Sequence, residues 1–254
     1  MSFTEFIANY QVFTPQMLLE ETGGSPSVSV ALSRAVKSGK VIKVRTGLYV
    51  SQSGRFQGAQ ADPYLIATVF RPDAVFTHHS ALVLHGLAHS ISNLIQFMTN
   101  NASPAFTYQV FELTSRVLRQ NAKTEALHAR AYGSVTVTTR EQTLVDCMAK
   151  IGMAGGAEEV VRSFAGLPYA DINAILSCLE QCPPSVASRI GWYLEANQER
   201  WAVPDKTLAT IESMLSQKAS YKLDPTYKHF DAYSAKWHLS LPASDETIGS
   251  WMEF

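Results

Sequence analysis

Between Ser27 and Val50 the spacing of apolar residues changes once, at Ser38-Gly39, and that change limits what the chain can fold into. Before it, Val28, Ala31, Leu32, Ala35 and Val36 recur three and four apart, the spacing of one buried helix face, with Ser27 as its cap. After it, Val41, Ile42, Val44, Leu48, Tyr49 and Val50 are β-favouring, with Arg45-Thr46-Gly47 as the turn between two short strands. Upstream, Phe3, Phe6, Ile7 and Tyr10 give a short helix one apolar face. Thr14 caps a second helix, and Pro15 takes its first position, where a missing amide proton costs nothing. Met17, Leu18 and Leu19 form the buried side of that helix, which Gly23-Gly24 ends, and Ser25-Pro26 separates it from the third. Three helices followed by a two-stranded hairpin is the winged helix-turn-helix arrangement.

Charge sets this segment apart. From Thr22 to Ala61 the chain carries Arg34, Lys37, Lys40, Lys43, Arg45 and Arg55 and no Asp or Glu, although the net charge of the whole is -1. From Asp62 onward there are 15 basic and 19 acidic residues, so a basic module is joined to a mildly acidic body. Modules of this size also serve in dimerisation or peptide binding. A surface built only for solubility intersperses both signs, so forty positions without an acid favour duplex DNA. On that reading Ser27, Ser29, Ser33, Arg34 and Lys37 face the bases from the third helix, while Lys40, Lys43 and Arg45 meet phosphates from the hairpin. The vocabulary for bases is small: Arg34 for guanine, and serine hydroxyls for either base.

The rest of the 254 residues excludes several classes. With 46% hydrophobic and 17% charged residues the chain is an ordinary globular sequence. It has no run of about 18 apolar residues for a membrane span. Met1-Ser2-Phe3-Thr4-Glu5 does not begin like a signal peptide, which makes a cytoplasmic location the expectation. Cys147, Cys178 and Cys182 contain no CxxC pair, so neither a disulfide framework nor a structural zinc is expected. His78, His79, His85 and His89 invite a metal reading, but HGLAH lacks the Glu of a hydrolytic HExxH, and packed or capping histidines are expected. Glu141 and Asp146 are five apart on one predicted helix, and Ser80, His85 and Asp73 have the types of a triad without a nucleophile-elbow setting. With no Walker or Rossmann glycines either, no catalytic residue, metal or cofactor is assigned.

Gly54 to Ala61 reads as a linker, and Asp62-Pro63 opens the body with a helix through Tyr64, Leu65, Ala67, Thr68 and Val69. In FTHHSALVLHGLAHS, Thr77 or Ser80 caps a helix with Ala81, Leu82, Leu84 and Leu87 inward. LIQFMTN, YQVFEL and SVTVTT are strand candidates. Thr139 caps a helix carrying Leu144, Val145 and Met148, and Arg189 and Glu195 project from the helix in VASRIGWYLEA. Lys236-Trp237-His238-Leu239 reads as a late strand. Tyr227, Phe230, Tyr233, Trp237 and Trp251 suit closing a domain or touching a partner. The fold class is therefore α+β: a winged helix over 1–55, then a mixed α/β body over 62–254 with a further division near residue 150 and a mostly helical C-terminal part.

These blocks also carry a resemblance. The segment from Phe13 to Val50, ending in GKVIKVRTGLYV with Gly47 and Tyr49 in the wing, looks like the N-terminal module of the AbiEi-type antitoxins. AVFTHHSALVLHGLAHS, the VTVTTREQTLVD stretch and VASRIGWYLEA resemble later blocks of the same family, in the same order. The resemblance implies a repressor that binds inverted repeats upstream of its own operon. It also implies an antitoxin, in a type IV arrangement, against a nucleotidyltransferase-like toxin with which no stable complex is required. Two-fold operators are read by two copies, and the resemblance does not decide whether a homodimer forms before DNA is met. A winged-helix regulator of another mobile-element or stress operon, without antitoxin activity, fits the residues too.

Overall fold

Local caps set the elements of the first seventy residues in a computed structural model that describes residues 1–24, 27–129 and 133–253. Ser2 accepts from the Glu5 amide, and the Glu5 carboxylate accepts from the Ser2 amide, a reciprocal box that starts α1 (Phe3–Asn9). A two-residue strand that the sequence reading missed, β1 (Val12–Phe13), follows. Thr14 then caps α2 (Pro15–Thr22) through the Met17 amide, and Gly23 ends it in the left-handed conformation, φ 75°. The third helix is α3 (Ser27–Lys37), and β2 (Val41–Arg45) and β3 (Leu48–Ser51) form the hairpin. β3 pairs antiparallel with both β1 and β2, giving the sheet order β1-β3-β2.

Phe6, Ile7, Phe13, Leu18, Val28, Leu32, Ala35 and Val41 make the core under this sheet. Phe13 packs edge-on to Phe6 and stacks on Tyr49, so the hairpin is fastened to the helices by rings. The topology is winged-helix-like. Some expectations change. Leu19 is 45% exposed, because a helix of two turns has room for few inward positions. Ser27 is the first helical residue rather than a cap, and Ser25-Pro26 lie outside the described residues. Arg45 belongs to β2, so the turn is only Thr46-Gly47, with Arg45 paired to Leu48.

The segment read as a linker is tied down. Gly54–Phe56 is a 3-10 turn, Gln52 Nε2 donates to the Ala59 carbonyl, and the buried Ala61 amide donates to the Tyr108 hydroxyl. Asp62 caps α4 (Pro63–Phe70), which is followed by β4 (Val75–Phe76) and α5 (His78–Leu84). Next come β5 (Leu94–Thr99), β6 (Phe106–Tyr108), β7 (Phe111–Val117), β8 (Thr124–Ala129) and β9 (Gly133–Thr138). YQVFEL is thus a hairpin corner between β6 and β7, with Gln109 at φ 53°.

Two compact units result: Met1–Ala74, Asn93–Val117 and His128–Val135 in one, and Val75–Ser92, Leu118–Leu127 and Thr136–Phe254 in the other. The boundary expected at 55–62 therefore does not separate units, since the hydrogen bonds just named close that gap within the first one. That first unit also contains β5, parallel to β7, and β6, antiparallel to β7.

In the second unit β4 pairs parallel with β9, and the remainder is mainly helical: α6 (Arg140–Ala149), α7 (Ala157–Ala165), α8 (Ile172–Leu179), α9 (Pro184–Ala196) and α10 (Asp205–Ser213). A small sheet of β10 (Tyr221–Lys222), β11 (Ala232–Ser234) and β12 (Leu239–Leu241) and the helix α11 (Asp245–Met252) complete it. The core of this unit gathers Phe164, Ile175, Ile190, Tyr193, Trp201, Trp237 and Trp251. Trp237 is fully buried in a turn, not a strand, and a Cβ on Gly191 would lie 2.1 Å from its ring. Mid-helix glycine costs about 1 kcal/mol against alanine, so Gly191 is explained by the indole it admits. Of the aromatic set assigned to closure or contact, Trp237 and Trp251 are buried, while Tyr227 and Tyr233 remain exposed.

Candidate nucleic-acid interface

On α3 the apolar stripe Val28, Leu32 and Ala35 is buried, which turns the opposite face to solvent. Ser27, Ser29, Ser33, Arg34 and Lys37 are all exposed on it. Val30, which the sequence reading passed over, is 49% exposed on the same side. Its spacing was the available signal: Val30, Ser33, Arg34 and Lys37 stand at i, i+3, i+4 and i+7, one line along the helix. Arg34 and Lys37 also lie in the last turn, where the helix dipole favours cations. Ser38 Oγ donates to the Ala35 carbonyl, and Gly39, at φ 73°, leads directly into the hairpin. Lys40 and Lys43 follow, both exposed.

The hairpin tip is held in a different way. Gly47 adopts φ 81°, the left-handed value that glycine tolerates without strain. A register shift between Lys43 and Arg45 breaks strand alternation. The Arg45 guanidinium lies 4.4 Å from the Phe70 ring centroid and 4.7 Å from that of Phe106, and Nη1 donates to Ser103 Oγ at 3.5 Å. Expected among the phosphate contacts, Arg45 is instead half-buried between two rings, a cation–π arrangement. Arg55 is similarly engaged, donating to the Asn9 carbonyl at 3.1 Å and lying over Phe56. The basic run thus divides. Among the described residues, Arg34, Lys37, Lys40 and Lys43 have no carboxylate partner, whereas Arg45 and Arg55 are fixed by rings and a carbonyl.

In the second unit the residues weighed for other chemistry are engaged in structure. Asp146, 1% exposed, accepts from Thr77 Oγ1 at 3.0 Å, Gln142 Nε2 at 2.8 Å and Arg119 Nη2 at 2.6 Å. Glu141 accepts from the Asp171 amide. Thr77 holds the cap position of α5, but its hydroxyl serves Asp146 instead of the helix. His85 Nε2 donates to the Thr138 carbonyl at 2.8 Å, and burial pushes its pKa down. In the first unit Asp73 accepts from Thr99 Oγ1 and the Asn100 amide, so its oxygens are occupied locally.

His79 lies 3.4 Å from Glu159, both nearly buried. Burial alone would raise the Glu159 carboxyl, but donors from His79, Ser90 and Ser163 prevail and hold it at about 2. Arg189 does not project from α9. It is buried and donates to the Met148 carbonyl at 2.6 Å and the Lys222 carbonyl at 2.8 Å. Glu195 accepts from Lys236 and from the Trp237 indole, both at 2.6 Å. A cavity of about 390 Å³ is lined by Arg119, Gln142, Cys178 and Cys182. Burial raises the Cys178 thiol to about 11, so its thiolate is scarce at neutral pH. Among the described residues no three His, Cys, Asp or Glu gather as metal ligands, and no helix is long and apolar enough to cross a membrane.

The fold defines an α+β class, with N-terminal helices in a winged-helix-like order and a mostly helical C-terminal region. It is similar to the crystal structure of the RV2827C protein from Mycobacterium tuberculosis, with a TM-score of 0.66 and 13% identity, covering 93% of this chain and 88% of that one. At that identity the likeness is one of fold. No protein-family profile matches the chain, and no curated protein sequence matches it.

Proposed function

We propose that this chain is a duplex-DNA-binding transcriptional regulator that lays α3 in the major groove and the β2–β3 hairpin against the backbone. One observation carries the reading: Arg34 and Lys37 on α3, Lys40 in the turn after it and Lys43 on β2 are exposed, without a carboxylate partner among the described residues. Exposed cations without a carboxylate partner suit phosphates, because release of condensed counterions drives that association. Lys40 and Lys43 set register and general affinity, and Ser29, Ser33, Arg34 and Lys37 lie nearest the bases. Arg45 orients the hairpin from behind. No catalytic group or cofactor takes part, and the working location is the cytoplasm.

Each phosphate contact contributes about 0.9 to the slope of log affinity against log salt. Lys40→Ala with Lys43→Ala is therefore expected to lower the slope by about 2 and weaken binding to many duplexes alike, as read by fluorescence anisotropy across a salt series. Unchanged affinity and slope would overturn the interface.

The resemblance of the later blocks to AbiEi-type antitoxins extends the proposal. The chain represses its own operon through an inverted-repeat operator, and it relieves the toxicity of a nucleotidyltransferase-like partner without a stable complex. Co-expression with the neighbouring gene tests this: growth is restored by the full chain, and persistent toxicity would leave a DNA-binding regulator without antitoxin activity.

A further inference from the structure

We infer that Val30 is a specificity residue of the proposed interface, reading the 5-methyl group of a thymine in the major groove. The inference rests on the DNA-binding reading of α3. Val28, Leu32 and Ala35 fill the buried side of the helix, so the isopropyl group of Val30 is not needed for the core. It remains 49% exposed, in line with Ser33, Arg34 and Lys37. Valine is a poorer helix former than alanine, and a solvent-facing valine amid serines and cations gains nothing for solubility.

A branched apolar side chain among hydrogen-bonding neighbours suits one feature of the major groove. Of the four base edges there, only thymine presents a methyl group, and small apolar side chains contact it. Geometry bounds the position of the companion base. Val30 and Arg34 are separated by about 6 Å along the helix axis, given 1.5 Å of rise per residue. Base pairs are stacked about 3.4 Å apart. Arg34, whose guanidinium matches the acceptors of guanine, therefore reaches a base pair within about two steps of the thymine, fewer the more the helix inclines to the duplex axis. The preferred site contains both, and Ser33 adds a hydroxyl that suits either base.

The test uses duplexes selected from a randomised pool with the full chain, resynthesised with each thymine in turn replaced by deoxyuridine, which removes only the methyl group. For the wild type, one replacement is expected to weaken binding about fourfold, the worth of one buried methyl. Val30→Ala, whose fold is checked by its melting curve, is expected to lose most of that difference, since its single methyl reaches less far into the groove than the isopropyl group. Lys37→Ala is expected to weaken both versions while preserving the fourfold difference. If no replacement affects the wild type, or if Val30→Ala discriminates as the wild type does, Val30 does not read a methyl, yet the DNA-binding reading stands. If the wild type selects no duplex at all, both fall together.

Discussion

α3 buries one apolar stripe while α9 is buried from Val186 to Leu194, and each carries an arginine, yet the two arginines have opposite fates. Arg34 is exposed with no carboxylate partner among the described residues, while Arg189 is buried and donates to two backbone carbonyls. On α9 the polar groups close the fold: Arg189 joins the helix to the end of α6 and to β10, and Glu195 holds Lys236 and the Trp237 indole. On α3, Arg34 and Lys37 gain at most the helix dipole's favour, with no carboxylate partner among the described residues. Charge kept without a structural use is where a partner is best sought.

The contrast is sharpest if Arg189 is truncated. Arg189→Ala orphans the Met148 and Lys222 carbonyls, and a loss of about 3 kcal/mol is expected from denaturant unfolding, given what buried charge-assisted hydrogen bonds contribute. A loss near zero would mean that α9 is held by its apolar face alone. Acid probes the same unit more gently. The His85 pKa lies below its ordinary 6.5, so stability falls as pH drops through that value, where the unfolded chain takes the proton first. Glu159, at about 2 against an ordinary 4.5, adds stability that is full above pH 4.5 and drains as pH falls toward 2. Glu159→Gln is expected to abolish the second decline and keep the first, as read by melting temperature between pH 7 and 3. The smallest effect belongs to α3: Arg34→Ala with Lys37→Ala is expected to change stability by less than about 0.5 kcal/mol. A large loss there would erase the distinction between the two helices.

Much of the first unit was legible because its signals are local. Thr14 before Pro15, the stripe from Val28 to Val36 and glycine at the hairpin turn each act within a few residues, and the helices and hairpin form where those signals are. β1 was not legible, since two residues between helices carry no period to detect. The exposed side of α3 follows from its buried stripe, but the division of six cations into those held by rings or a carbonyl and those without a carboxylate partner among the described residues does not. Phe70 and Phe106, which hold Arg45, are far along the chain from it, and no pattern around Arg45 announces them. Arg189 misled for a related reason: periodicity marks apolar faces, and a buried arginine interrupts one without saying so. The turn holding Trp237 was likewise hidden, because a β-favouring composition does not reveal that His238 has φ 49°.

Freezing a rotamer-rich side chain on association costs on the order of 1 kcal/mol. The hairpin of this chain has already paid that toll inside its own unit, because Arg45 is parked between Phe70 and Phe106 before any ligand arrives. If a duplex docks as proposed, it meets a tip at Thr46-Gly47 already in place, and the long side chains left to still are Arg34, Lys37, Lys40 and Lys43.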